Sequence, residues 1–273
     1  MRFARPIEAG RGHVRLRSIA ALGGRLMENI AARGARSRWI AERRFFTGMA
    51  IAMLLVAYVG FARSFFLRPV FPEWPSPSEP IFYVHGVFFS AWCVLLVLQA
   101  ILVGVGRTDV HRKVGVLGVV IALGMVILGV AGALIAANRP TGFNGVPVPP
   151  LQFLVVPLFD IAFFSVFVAL GVANRTNPQS HKRWMVLATV TLLGAAFARW
   201  PYVWKVGNPF AYFGLAYLFI VALAIWDFRT RGKLHPVTRW GGLALIVSLP
   251  ARLALAGTAA WLAFATWLTG LAR

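Results

Sequence analysis

The sequence predicts an all-α protein, a seven-helix transmembrane bundle with a basic N-terminal arm. Of its 273 residues, 59% are hydrophobic and only 13% are charged, about half the charged fraction of soluble proteins. A membrane-crossing helix needs roughly 20 mostly apolar residues. Seven stretches meet this requirement, at residues 46–66, 81–103, 113–137, 151–173, 184–204, 211–227 and 238–268. The seventh is long and contains Pro250 and Arg252, so we expect it to bend or to end in a surface helix.

The charges in the loops predict the orientation of these spans. The net charge is +20, and such a basic chain often binds nucleic acid. Here, however, the charge flanks apolar runs, which favours membrane topology and no nucleic-acid partner. The arm and the second, fourth and sixth loops hold 21 basic residues, against 4 in the other loops and the C-terminus. By the positive-inside rule the N-terminus is inside and the C-terminus outside. The Arg-rich, Lys-poor composition is typical of a GC-rich bacterial gene, which predicts the bacterial inner membrane.

Residues 1–44 form the predicted basic arm, and residues 45–273 form the transmembrane domain. Residues 14–31 place apolar side chains at roughly helical spacing with arginines opposite, which predicts an amphipathic helix on the inner leaflet. Gly23 and Gly24 interrupt this pattern. A disordered basic tail and a true start at Met27 remain open as alternatives.

Three histidines begin inside-to-outside spans at the same predicted depth: His111, His181 and His235. Neutral imidazoles that converge there would bind a transition metal, or two of them would ligate haem b iron. The alternative is that each belongs to the basic interfacial flank. Basic residues beside them would neutralise haem propionates or bind anionic lipid headgroups, namely Arg112, Lys182 and Arg183. From His111, helical steps pass through a face of small residues, which predicts that this face packs against other helices.

Five polar residues within the spans predict an outer polar cavity: His85, Gln99, Asp160, Arg199 and Arg252. Charged groups at such depth rarely face lipid. We expect Asp160 to pair with Arg199 or Arg252. The other arginine would then be left for a ligand anion such as a haem propionate, a quinone oxygen or a lipid phosphate. The alternative is a purely structural ion pair.

Three short motifs carry a resemblance to known families. Tyr83-Val-His85-Gly, Leu98-Gln99 and Arg107…His111-Arg112…Gly115 resemble a family of uncharacterised bacterial multi-pass membrane proteins with a His…Leu-Gln…Arg…His-Arg…Gly signature. The resemblance extends loosely over residues 45–268. A fainter similarity links the chain to the transmembrane di-haem b-type cytochromes of the ascorbate-reducing type, which implies haem held by histidines on successive helices. This sequence departs from that pattern, with three inner histidines but one outer histidine, His85.

The sequence supports three functional hypotheses and leaves open whether the protein is an enzyme. The first is a haem or metal redox site at the cytoplasmic face that serves electron transfer. The second is a non-catalytic accessory or scaffold subunit of a larger membrane complex. The third is a transporter or sensor of a small anion. In each of them the lipid bilayer is a partner.

Overall fold

The computed structural model describes residues 10–74, 79–144 and 146–272, and in these ranges it is helical without strands. The all-α prediction is therefore confirmed for the described residues. The helices are α1 Gly10–Phe61, α2 Pro80–Gly104, α3 Thr108–Asn138, α4 Pro150–Phe153, α5 Val155–Ala173, α6 Pro178–Phe197, α7 Pro209–Arg231, α8 Pro236–Leu255 and α9 Ala259–Gly270.

The chain divides into two compact units, Met1–Phe45 and Phe46–Arg273. The described part of the first unit is helical from Gly10 onward, and Gly23 and Gly24 do not interrupt the helix. Arginines in its last turns, such as Arg33, Arg36 and Arg44, are exposed. The side chains of residues 1–24, on which much of the amphipathic prediction depends, lie outside the described residues.

Local sequence sets the helix starts of the second unit. Proline occupies the first helical position of α2, α4, α6, α7 and α8, where its missing N–H would have no partner in any case. The side chains of Asn177, Asn208, His235 and Thr258 cap α6 to α9 by accepting backbone N–H groups. Gly232 ends α7 in the left-handed conformation, with φ of 70°, which glycine adopts without steric cost.

Five segments are long and apolar enough to cross a membrane: Met27–Phe66, Pro80–Gly104, Thr108–Asn138, Pro150–Ala173 and Pro209–Arg231. The pair α8 and α9 adds a sixth if it counts as one span, although the two helices are bent by 88°. These helices make the chain a multi-pass membrane protein. The seven-span count and the orientation of the termini stay predictions.

Two predicted spans differ from the helices observed. The stretch 184–204 becomes α6, which begins at Pro178 with polar and basic residues and ends at Phe197, so its apolar part is short. The predicted bend in 238–268 is confirmed, because residues 256–258 separate α8 from α9 and the two helices are bent by 88°. Pro250 lies inside α8, and the break follows one turn later.

Helix α6 is the centre of the bundle. It packs against α5, α7 and α8, and most of its side chains are buried. Because the surrounding helices shield it, α6 does not need an apolar surface of its own. Helix α3 packs against α2 and α5 and buries its small residues, including Gly118, Gly129 and Gly132, as the sequence predicted for the face below His111.

The loops divide between the two ends of the bundle. Short loops at residues 105–107, 174–177 and 232–235 lie next to His111, His181 and His235, and we call this end the histidine end. The segments 67–74 and 139–144 contain Pro69, Pro72 and Pro140, and we call that end the proline end.

Candidate functional sites at the two ends of the bundle

At the histidine end, the first turns of α3 and α6 bring two of the three predicted histidines together. The ring centroids of His111 and His181 are 6.2 Å apart, with their planes at 87°. Nδ1 of His181 lies 2.8 Å from the Gly171 carbonyl oxygen. Since a carbonyl only accepts hydrogen bonds, Nδ1 carries the proton and Nε2 of the neutral ring keeps its lone pair.

Buried polar atoms lie next to the His111 ring, and not all of them form hydrogen bonds. Nε2 of Gln99 donates to the His111 carbonyl oxygen at 3.2 Å. Oε1 of Gln99 and Nδ1 of His111 are both buried and have no hydrogen-bond partner among the described residues. Native proteins pair nearly all such atoms with protein, water or an ion. The rings of His111 and His181 and the amide oxygen of Gln99 therefore offer ligand atoms of the kinds that transition metals accept.

His235 belongs to a different set of contacts. Its backbone N–H donates to Oδ2 of Asp227 at 3.0 Å, and its Nδ1 accepts the Val237 N–H at 3.1 Å as the cap of α8. In the described part of the chain, no three His, Cys, Asp or Glu side chains lie close enough to hold a metal ion together. The structure thus groups His111 with His181 and leaves His235 as a helix cap.

A buried ion pair connects α6 with α7 beside His235. Nε of Arg183 donates to Oδ1 of Asp227 at 3.1 Å, and Nη2 donates to the same oxygen. Oγ1 of Thr238 donates to Oδ2 of Asp227 at 2.6 Å. The guanidinium also donates to the backbone and side-chain oxygens of Gln179, both at 2.8 Å. The carboxylate therefore holds α6, α7 and the start of α8 together.

The three basic residues predicted to bind propionates or headgroups occupy different environments. Arg183 is buried against Asp227. Lys182 is half-buried, with its Nζ 4.3 Å from the centre of the Phe46 ring. Arg112 is exposed beside His111. Arg112 is thus the one of the three most open to a ligand near the histidine pair.

Toward the proline end, α5 and α8 form a second buried ion pair. Nη1 of Arg252 donates to Oδ1 of Asp160 at 2.5 Å and lies 3.4 Å from the Val156 carbonyl oxygen. The guanidinium carbon lies 4.3 Å from the centre of the Phe213 ring. Of the two partners expected for Asp160, Arg199 and Arg252, the structure selects Arg252.

Arg199 is the arginine that remains. Its Nη1 donates to the Ala195 carbonyl oxygen at 2.7 Å, and its guanidinium lies over Phe61, 4.9 Å from the ring centre. Arg199 forms no ion pair with any residue in the described ranges.

The five residues predicted for one outer cavity do not all meet. Gln99 lies at the histidine end, where it contacts His111. Asp160 pairs with Arg252, although Nε of Arg252 has no hydrogen-bond partner among the described residues. His85 stacks on Phe89, and Arg199 lies over Phe61. Sequence reasoning missed Asp227 and Thr238 as functional neighbours of His235. The signal available was that Asp227 is one of only 8 acidic residues and stands among basic residues at a predicted helix end.

No known protein-family model, curated protein or solved structure matches this chain. The fold and the apolar helices define its class: it is a multi-pass helical membrane protein in contact with the lipid bilayer.

Proposed function

We propose that this membrane protein holds a transition-metal centre, either a metal ion or haem b, at the histidine end of the bundle. His111 and His181 are its protein ligands, and electron transfer in the bacterial inner membrane is its role. The observation that carries the proposal is the contact between the two rings, whose centroids are 6.2 Å apart. Metal–imidazole bonds are about 2.0–2.1 Å long, so one metal fits between two rings at this separation.

Three neighbouring features support the proposal. The Gly171 carbonyl fixes the tautomer of His181, as a carbonyl or carboxylate does for most metal-bound histidines. The unpartnered amide oxygen of Gln99 offers a further ligand. Exposed Arg112 places a positive charge where a haem propionate or other anion would leave the site. His235 is not part of this centre, because its Nδ1 already caps α8.

The test is a metal analysis of the detergent-purified protein, together with its absorption spectra before and after reduction with dithionite. We expect about one metal per chain, and His111→Ala and His181→Ala should each remove most of it. His235→Asn is the matched control, since asparagine caps a helix equally well and the residue lies at the same end. Sharp bands after reduction would identify haem b, and bound iron or copper without them would identify a simple ion.

Metal content that is unchanged in both alanine variants would overturn the proposal, as would a colourless, metal-free wild-type protein. In the latter case, co-purification with partner proteins would favour the accessory-subunit hypothesis. Anion uptake that depends on Arg199 would favour a transporter.

A further inference from the structure

An apolar groove lies between α1 and α7, with α6 at its base. Its volume is about 290 Å³, and its lining side chains are all apolar: Met49 and Val56 from α1, Phe197 from α6, and Leu215, Leu218, Phe219 and Ala222 from α7. On both α1 and α7 the lining positions extend over seven residues, which is two helical turns or roughly 10 Å. The groove therefore has room for part of one extended hydrocarbon chain.

The groove opens toward the lipid. Its two walls belong to the segments Met27–Phe66 and Pro209–Arg231, which are long and apolar enough to cross a membrane. Leu218, in the α7 wall, is 57% exposed. Because acyl chains surround such helices in the bilayer, a lipid chain reaches the groove without passing through water.

Two aromatic rings mark the histidine end of the groove. Phe46 of α1 and Trp226 of α7 contact each other edge to face, with ring centroids 6.5 Å apart. Phe46 lies one turn before the lining residue Met49, and Trp226 lies one turn after the lining residue Ala222. Both walls of the groove thus continue to this aromatic pair.

Basic side chains lie directly beyond the aromatic pair. Nζ of Lys182 is 4.3 Å from the centre of the Phe46 ring, and this side chain is half-buried. Arg229 is exposed and follows Trp226 by three residues, so it continues the same face of α7. Arg183 also lies near Phe46, but it is committed to a buried ion pair. Lys182 and Arg229 therefore place positive charge at the histidine end of the groove.

We propose that the groove binds one acyl chain of an anionic phospholipid, whose phosphate meets Lys182 and Arg229. In a phospholipid the charged headgroup lies directly above the start of its apolar chains, and here cations lie directly beyond the end of an apolar groove. A zwitterionic lipid such as phosphatidylethanolamine would bring its ammonium group close to the two cations, which is unfavourable. The site is therefore selective for a net negative headgroup.

The experiment is native mass spectrometry of the full-length protein in detergent, titrated with phosphatidylglycerol or with phosphatidylethanolamine of the same acyl chains. Concentrated ammonium acetate screens the exposed arginines of the basic arm. Lys182→Gln and Arg229→Gln should each weaken phosphatidylglycerol binding by about fivefold, the factor for one basic residue near an anionic lipid. Lys113→Gln is the matched control, because Lys113 is exposed on α3 outside the groove, and it should change Kd less than about twofold.

Filling the groove tests the position of the acyl chain. Ala222→Phe places a ring in the groove and should weaken phosphatidylglycerol binding by about fivefold or more, because the chain loses its packing contacts. Val221→Phe is the matched control, since Val221 is 50% exposed and does not line the groove. The basic arm is the same in every variant, so differences between variants report on the groove.

A comparison of ligands on the wild-type protein does not depend on the folding of any variant. Equal affinity for phosphatidylglycerol and phosphatidylethanolamine would overturn the proposal. Soluble glycerol 1-phosphate has the charge without the chains, and binding as tight as that of phosphatidylglycerol would also overturn it.

An unchanged Kd in both Lys182→Gln and Ala222→Phe would contradict the proposed site. A wild-type dimer that Ala222→Phe abolishes and Val221→Phe retains would instead make the groove an interface between two copies of the chain. The test is independent of the proposed metal centre, because no variant alters His111 or His181.

Discussion

Asp227 accepts hydrogen bonds from Arg183 through one carboxylate oxygen, while its other oxygen accepts from the backbone of His235 and the hydroxyl of Thr238. The side chains of Arg183 and Asp227 are 1% and 0% exposed. A carboxylate this buried is stable only because its lone pairs are satisfied and its charge is matched. Three helices therefore meet at one ionised side chain.

Asp227→Asn should destabilise the protein by about 3–5 kcal/mol, because it leaves the charge of Arg183 buried and unpaired. Thermal unfolding in detergent measures this effect. Asp109→Asn is the control, since Asp109 forms an exposed pair with Arg107 and should change the melting temperature little. The double variant Asp227→Leu/Arg183→Met should recover part of the loss. Equal effects of the two asparagine variants would contradict the network's role.

Stability should fall as the pH decreases below about 6.5, in part through His235. Burial, and next the positive charges of Arg183 and Arg231, lower the pKa of His235 from 6.5 to about 4. Between these two values the unfolded chain binds a proton that the folded chain does not, so acidification favours unfolding. Above about pH 6.5 the contribution is complete. Melting temperatures from pH 7.5 to pH 4.5 test this.

His235→Asn isolates that contribution. Asparagine keeps a cap for α8 but does not titrate, so the variant's melting temperature should fall less with decreasing pH than that of the wild-type protein. Parallel pH profiles of the two proteins would rule out His235 as a source of the acid sensitivity.

Gly60→Ala should lower stability by about 1–3 kcal/mol, the usual cost of overpacking. A Cβ at Gly60 would collide with the backbone carbonyl of Ala196 at the end of α6, and backbone cannot move aside as a flexible side chain does. Gly48→Ala, in the same helix, is the matched control because nothing lies within 4 Å of its added Cβ. There alanine should leave stability unchanged or raise it by up to about 1 kcal/mol. Unfolding curves that shift equally in both variants would contradict the close approach of α1 and α6.

The basic arm should select anionic lipids. Replacing exposed Arg33, Arg36 and Arg44 with glutamine should reduce the phosphatidylglycerol retained by the protein in native mass spectrometry, since each basic residue near an anionic surface contributes about 1 kcal/mol. Higher salt should weaken the wild-type interaction. Arg139→Gln should leave lipid retention as it is. Retention that is insensitive to both the triple substitution and the salt would leave the arm without this role.

Local sequence signals predicted much of the bundle. Apolar runs of membrane length placed α2, α3, α5 and α7 within a few residues of their observed bounds. The apolar-run criterion misplaced the bounds of α6, which runs from Pro178 to Phe197. A central helix that its neighbours shield does not need a long apolar surface. A hydropathy pattern reports contact with lipid, and α6 has little of it.

The candidate sites were less predictable because they depend on contacts between distant residues. His111, His181 and His235 stand in similar sequence contexts. In the folded chain, however, the rings of His111 and His181 contact each other, whereas His235 caps α8. Likewise, the sequence left Arg199 and Arg252 as equivalent partners for Asp160. The packing of α5 against α8 brings Arg252 to it.

The sequence by itself determined the membrane class, the helical content, most helix bounds and which polar residues lie within apolar helices, because these follow from composition and from signals a few residues long. Only the tertiary structure decided which polar groups satisfy one another. Asp160 pairs with Arg252, and Asp227 pairs with Arg183. Within the described ranges, four buried atoms are left without a hydrogen-bond partner: Nδ1 of His85, Nδ1 of His111, the amide oxygen of Gln99 and Nε of Arg252. The physical reason is that ion pairs and hydrogen bonds act over a few ångströms, and helix packing alone brings residues 44 or 92 positions apart to that distance.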